Sequence, residues 1–308
     1  MRRTVSLVVL GSSLAFAMAA SAADKASINR RTGLYEPPPS DLRKAVERGD
    51  RAEIARAATR LGPSRLARML ADPDRKTVLA ALEAAPLLDA GVLVLDAIRP
   101  LVASSDEGVR AHAVAATAAL LSQADLGRLA EYEVTGETFV ASCQALAGAA
   151  ASDIEPIGTR LSAIQGVVDG GPACASQLRL DLLLASREPE LRRAVVLAAP
   201  EGDARTPPSL LAASKDSDRR VAGAAAVRMC KSKQAPLPPL RDLVLAEAAL
   251  VEDVVELLPC LAASADPQDQ KALVDLGNSG RPAVRDAVKR LRAVRPSAPS
   301  VESPSKKP

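Results

Sequence analysis

The sequence is poor in rings. Its 308 residues include two Phe, two Tyr, one His and no Trp; these are Phe16, Tyr35, Tyr132, Phe139 and His112. Each scarcity removes a class of chemistry. A stacking platform for bases or sugars needs several rings held together. A multi-histidine zinc site is out of reach of one chain, and a Ser-His-Asp triad has only His112 to draw on. C-x₂-C pairs, calcium-loop spacing, phosphate-binding glycine loops, G-x-S-x-G and H-E-x-x-H are also absent, so no metal, cofactor or catalytic residue is expected. Strand-like alternation is missing, and beyond the N-terminus no stretch reaches the roughly 18 apolar residues that a membrane span requires.

What is present starts with an export pattern. Arg2 and Arg3 precede an uncharged, mostly apolar stretch from Val5 to Ala20. Ala20-Ser21-Ala22 then supplies the small residues that signal peptidase accepts. Residues 1–22 are therefore expected to be a signal peptide, with cleavage before Ala23 and a periplasmic or secreted mature chain. Losing two of the 40 basic residues leaves a formal charge of about +1 against 37 acids. That is no global field for nucleic acid. Residues 23–38 read as a linker and residues 296–308, rich in Pro, Ser and Lys, as a disordered tail.

Between them the chain is 48% hydrophobic overall and dominated by Ala, Leu, Val and Arg, with apolar residues recurring at three and four. This is an all-helical pattern. It begins with a helix over 41–48, N-capped by Ser40 and stopped by Gly49, and a second over 51–61 that ends at Gly62-Pro63. A unit then recurs: a short apolar helix, an acidic turn, and a second helix opening on a branched residue. The openings are Val78, Val109, Val140, Leu191, Val221, Val254 and Val284, spaced 31, 31, 51, 30, 33 and 30 residues apart. The gap of 51 holds residues 154–176, read as one irregular extra helix and a Gly-Gly-Pro break.

Four cysteines remain in the body. An even number in an exported chain suggests two bridges, with three pairings open. Cys143 and Cys174 are separated by 31 residues, Cys230 and Cys260 by 30. Both separations match the repeat, which favours these two pairs over free thiols.

An acidic turn followed by Val-Arg resembles the HEAT-repeat family, in particular its short bacterial variety shared with phycobilisome-lyase-type repeat proteins. Asp106 with Val109-Arg110 matches best. Glu188 with Leu191-Arg192 and Val284-Arg285 match well, whereas Asp216 and Asp218 with Val221 match in part, with Ala222 in place of Arg; Val78, Val140 and Val254 lack the Arg. The resemblance covers residues 62–295. It implies a right-handed α-solenoid of about seven to eight stacked helical hairpins over residues 39–295, too thin to stand singly and sharing a continuous core.

For function, the lack of catalytic groupings, the export pattern and the repeats together point to a non-enzymatic scaffold or adaptor for a protein partner in the cell envelope. A lyase-like enzyme on the same scaffold would need a groove carboxylate with a raised pKa. A nucleic-acid-binding repeat protein is opposed by charge and by the missing rings. Charge is uneven near the end: residues 241–275 hold eight acids and two bases, residues 281–308 eight bases and two acids. Arg285, Lys289, Arg290 and Arg292 are thus candidate contacts for an acidic partner. His112, the acidic start Glu252, Asp253 and Glu256, and the turn Gly277-Asn278-Ser279-Gly280 read as structural.

Overall fold

The computed structural model of the chain describes residues 39–124, 126–200, 206–233, 240–247 and 249–294. The expected signal peptide, linker and tail lie outside the described residues. Among the described residues there is no strand, and no helix is long and apolar enough to cross a membrane.

Among the described residues eighteen α-helices follow one another: α1 (Pro39–Arg48), α2 (Arg51–Leu61), α3 (Pro63–Leu70), α4 (Arg75–Ala84), α5 (Leu95–Ile98), α6 (Glu107–Gln123), α7 (Leu126–Glu131), α8 (Gly136–Ala151), α9 (Ile157–Asp169), α10 (Gly171–Ala175), α11 (Leu180–Leu184), α12 (Pro189–Ala198), α13 (Thr206–Ala213), α14 (Arg219–Lys231), α15 (Leu240–Val244), α16 (Val251–Ala263), α17 (Pro267–Gly277) and α18 (Pro282–Val294). The segments 91–94 and 99–103 beside α5 are 3₁₀ turns. The first helix includes Ser40 rather than being capped by it, because Pro39 occupies the first turn, where its missing N–H costs nothing. Gly49 and Gly62 end the first two helices at φ 68° and 72°, which only glycine adopts freely.

Eight helices form an inner row in which each touches the next: α1, α4, α6, α9, α12, α14, α16 and α18. The intervening helices back them; α5 packs on α8, α8 on α10 and α11, α11 on α13, and α15 on α17. Asp74, Asp106 and Asp218 cap inner helices, accepting from the amides of Lys76, Val109 and Arg220 at 3.2, 2.9 and 2.8 Å. Such caps contribute about 1 kcal/mol each.

One repeat is placed differently from the expectation. Val140 was expected to open an inner helix, yet α8 lies in the backing layer, with Val140 half-buried. There Thr138 Oγ1 donates to Asp96 on α5 at 2.9 Å. The inner position belongs to α9, which was read as an irregular extra. Two features put it there. Gly166 lets α9 close on α6, since a Cβ at that position would fall 2.7 Å from Ala118 Cα and 2.9 Å from Leu146. Arg160, buried, fills the place of the motif arginine and donates to Ala150 O at 2.9 Å. The surplus length therefore falls before α9, in the long helices α6 and α8 and in the inserted α7.

Candidate functional site: the inner-helix row and its groove

The motif arginine has a defined task. Fourth in its helix, it turns back to the carbonyls of the preceding turn. Arg110 Nη1 donates to Ser104 O and Ser105 O at 2.9 and 3.1 Å, Arg192 Nη1 to Ser186 O and Arg187 O at 2.9 and 3.2 Å, and Arg285 Nη1 to Ser279 O at 2.7 Å. Gln270 copies the act on α17, donating to Ser264 O at 2.8 Å. These bonds satisfy carbonyls that a helix end leaves without partners.

Other guanidinium nitrogens reach forward to the acid of a following repeat. Arg43 meets Asp74, and Arg75 meets Asp106, each at 2.7 Å. Arg110 meets Glu155. Arg192 holds Asp216 through two bonds of 2.7 and 2.8 Å, with both side chains mostly buried. The Asp106 and Asp216 carboxyls are held below the ordinary carboxylate range by the arginines that donate to them, and Asp216 raises Arg192 in return. Leu42-Arg43 belongs to the same pattern, a match the repeat comparison passed over.

The row changes character at α14. Every residue from Val221 to Val227 is buried, so the middle of this helix has no wet face, while Arg219 and Lys231 at its ends are exposed. Arg193 on α12 reaches across it to Asp253 on α16, Nη2 to Oδ1 at 3.2 Å. The crossing runs over Gly223, where a Cβ would stand 3.1 Å from Asp253 Oδ2. Burial pushes the Asp253 carboxyl above its ordinary value, against the pull of Arg193 and with the help of Glu252 and Glu256. The acidic helix start is thus partly interior. Asp253 Oδ2 and Arg193 Nε are buried without hydrogen-bond partners.

Beside this crossing, a groove of about 460 Å³ runs over α9, α12 and the start of α14. Leu161, Ile164, Val168, Ala194, Leu197 and Leu250 give it apolar walls, and Glu190, Arg193 and Arg220 charge its rim. Val168 and Leu197 are 37% and 42% exposed. Arg220 is engaged by Asp218 at 2.8 Å and lies 3.5 Å from Glu190. The raised carboxylate that a lyase reading requires exists in Asp253, but both its oxygens are turned into protein: one to Arg193, the other sealed over Gly223.

The remaining candidates fall as follows. His112 Nδ1 donates to Gly108 O at 2.7 Å, and its Nε2 lies 3.6 Å from Glu83. On α18, Lys289, Arg290 and Arg292 are exposed, whereas Arg285 is half-buried in its turn. Cys143 on α8 is bonded to Cys174 on α10, and Cys230 on α14 to Cys260 on α16, with Cα separations of 5.0 and 6.1 Å. Among the described residues no three of His, Cys, Asp and Glu gather closely enough to hold a metal ion. The groove residues Val168, Leu197 and Leu250 escaped sequence reading, because in sequence they merely continue a helical apolar pattern.

Compared with known proteins, the chain matches no family model, and no curated protein aligns with it significantly.

Proposed function

We propose that this protein is an exported, non-enzymatic scaffold of HEAT-like type, a right-handed α-solenoid that binds a protein partner along its inner-helix row. The observation that carries this reading is the groove over α9, α12 and α14, where aliphatic side chains stay exposed between charged rims. Exposed apolar surface in a concave setting, with charge around it, is the usual chemistry of protein recognition. The unbroken inner row supports the solenoid, since stacked repeats share their cores with neighbours. The two cystines fit a periplasmic or secreted location. The basic end, with Lys289, Arg290 and Arg292 in solvent, supplies a second contact for an acidic part of the same partner.

The test is crosslinking of the mature protein in envelope extract, with wild type and Leu197→Asp side by side. Leu197 is exposed, so the variant keeps the fold. The expected result is one specific crosslinked protein that the variant loses by tenfold or more, about 1.4 kcal/mol. A folded wild type with no specific partner, or a variant that binds equally well, overturns the reading.

A further inference from the structure

The two cystines close loops of nearly equal length, 31 and 30 residues, yet they sit in opposite surroundings. Cys143 and Cys174 are both 0% exposed. Cys174 is walled in further by the chain itself, for a Cβ at Gly170 would lie 2.6 Å from its Sγ. Cys230 and Cys260 are only partly buried, each in the last turn of its helix. The backbone around them can yield. Pro259 precedes Cys260 inside α16 and has no N–H to give to the Val255 carbonyl, so the terminal turn is less firmly held. Nearby, Lys231 Nζ and Glu256 Oε2 form an ion pair of 2.8 Å between the same two helices, too exposed to replace the covalent tie once it is cut.

We propose that Cys230–Cys260 is a thiol–disulfide exchange site of the folded protein, open to dithiol reductants, while Cys143–Cys174 is a permanent brace. A thiolate of the reductant attacks one sulfur. The bond between Cys230 and Cys260 breaks, and a mixed disulfide forms with release of the other cysteine as thiolate. The second thiol of the reductant then resolves the mixed disulfide. Two electrons pass to the protein, the two cysteines take up two protons, and the reductant leaves as its own disulfide. Access of the attacking thiolate to sulfur decides which bond exchanges.

The consequence is local. α16 is tied at its N-terminal end to α12 through Arg193–Asp253, which passes over Gly223 of α14, and at its C-terminal end to α14 by the cystine. Reduction frees the second end and leaves the first, so the last repeats open while the helices around Cys143 stay closed.

The experiment uses the mature chain without denaturant, with dithiothreitol as the probe. Alkylation is followed by peptide mass spectrometry, and hydrogen exchange is measured before and after reduction. The expected result is labelling of Cys230 and Cys260 at least about tenfold faster than of Cys143 and Cys174, with faster exchange in residues 219–231 and 251–263 and none gained in residues 136–151. Equal rates at all four positions, the reverse order, or no labelling of Cys230 and Cys260 until urea is added overturns the proposal. The buried pair is the internal control, so no variant has to fold.

Discussion

Residues 39–199 and residues 206–294 use the same kind of helix but fill the space between helices differently. In the first region the buried side chains join into one cluster that runs from Leu42 to Ala199, with Leu82, Leu95, Ile98, Leu120, Leu121 and Leu146 fully enclosed. Tyr132 and Phe139 pack against the same cluster. In the second, the interior falls into two smaller clusters, one of them shared with Val196 of α12, and the central helix α14 buries four alanines and a glycine among its eight buried residues. A leucine side chain buries three carbons more than alanine does, at roughly 0.8 kcal/mol per CH₂-sized group. Alanine gives close approach but little apolar area. Specific ties occur in both: Arg75–Asp106, Arg110–Glu155 and the enclosed Cys143–Cys174 in the first, Lys231–Glu256 and a cystine near the surface in the second, with Arg193–Asp253 joining the two. What changes along the chain is the bulk between helices, so the ties of the second region act on a thinner interior.

The widest separation between the regions is expected from the cystines. Replacing Cys143 and Cys174 by Ser should cost more than replacing Cys230 and Cys260, although both loops predict roughly 3–4 kcal/mol from chain entropy. The first change also places two hydroxyls at fully buried positions. Urea melts of the two double variants measure the difference, and equal losses would erase it. Next comes Asp216→Asn, which removes the charge that Arg192 holds with two bonds and should cost about 1.5–3 kcal/mol at pH 7. Arg192 depresses the Asp216 pKa in the folded state. The contribution is therefore complete above the unfolded value of about 3.9 and lost as pH falls through the lower native value. Melts at decreasing pH should show variant and wild type converging.

Asp253 runs the other way. Its native pKa is raised by burial, so the group favours the fold most when protonated, and its contribution falls as pH rises from about 3.9 towards the native value. Asp253→Asn keeps an acceptor for Arg193 and puts an N–H where Oδ2 has no partner. Stability at pH 7 should move by no more than about 1 kcal/mol, and the slope of stability against pH just above 4 should flatten. A loss as large as that of Asp216→Asn would make the two ion pairs equivalent. The smallest effect should be the same in both regions. Glu133 and Lys233 follow helix ends at φ 54° and 53°, where glycine is at ease. Each change to Gly should raise stability by about 0.5–1 kcal/mol in thermal melts.

What could be read in advance was local. An Asp before a helix and an Arg four places into it act on atoms within a few residues, so the capped turns at Asp106 and Asp218 stood out in the sequence. Membership of the inner row is not local. α8 and α9 both show a helical apolar pattern, and the choice between them rests on Gly166 meeting Ala118, 48 positions apart in sequence. Asp253 looked like an ordinary acidic helix start because nothing near it in sequence reveals that Gly223, on another helix, leaves room for it to turn inward. The groove is a sum of exposures on separate helices and has no sequence signature.

The return bonds of Arg110, Arg192 and Arg285 have one more implication. Each clamp closes on carbonyls only five or six residues behind it, so the bend is fastened locally, and only the forward contacts of Arg110 and Arg192 to Glu155 and Asp216 depend on the next repeat. An array with self-fastened corners can be lengthened or shortened by whole units without redesign of the bends that remain, which makes the corner the natural joint for cutting, grafting or duplicating a repeat of this chain.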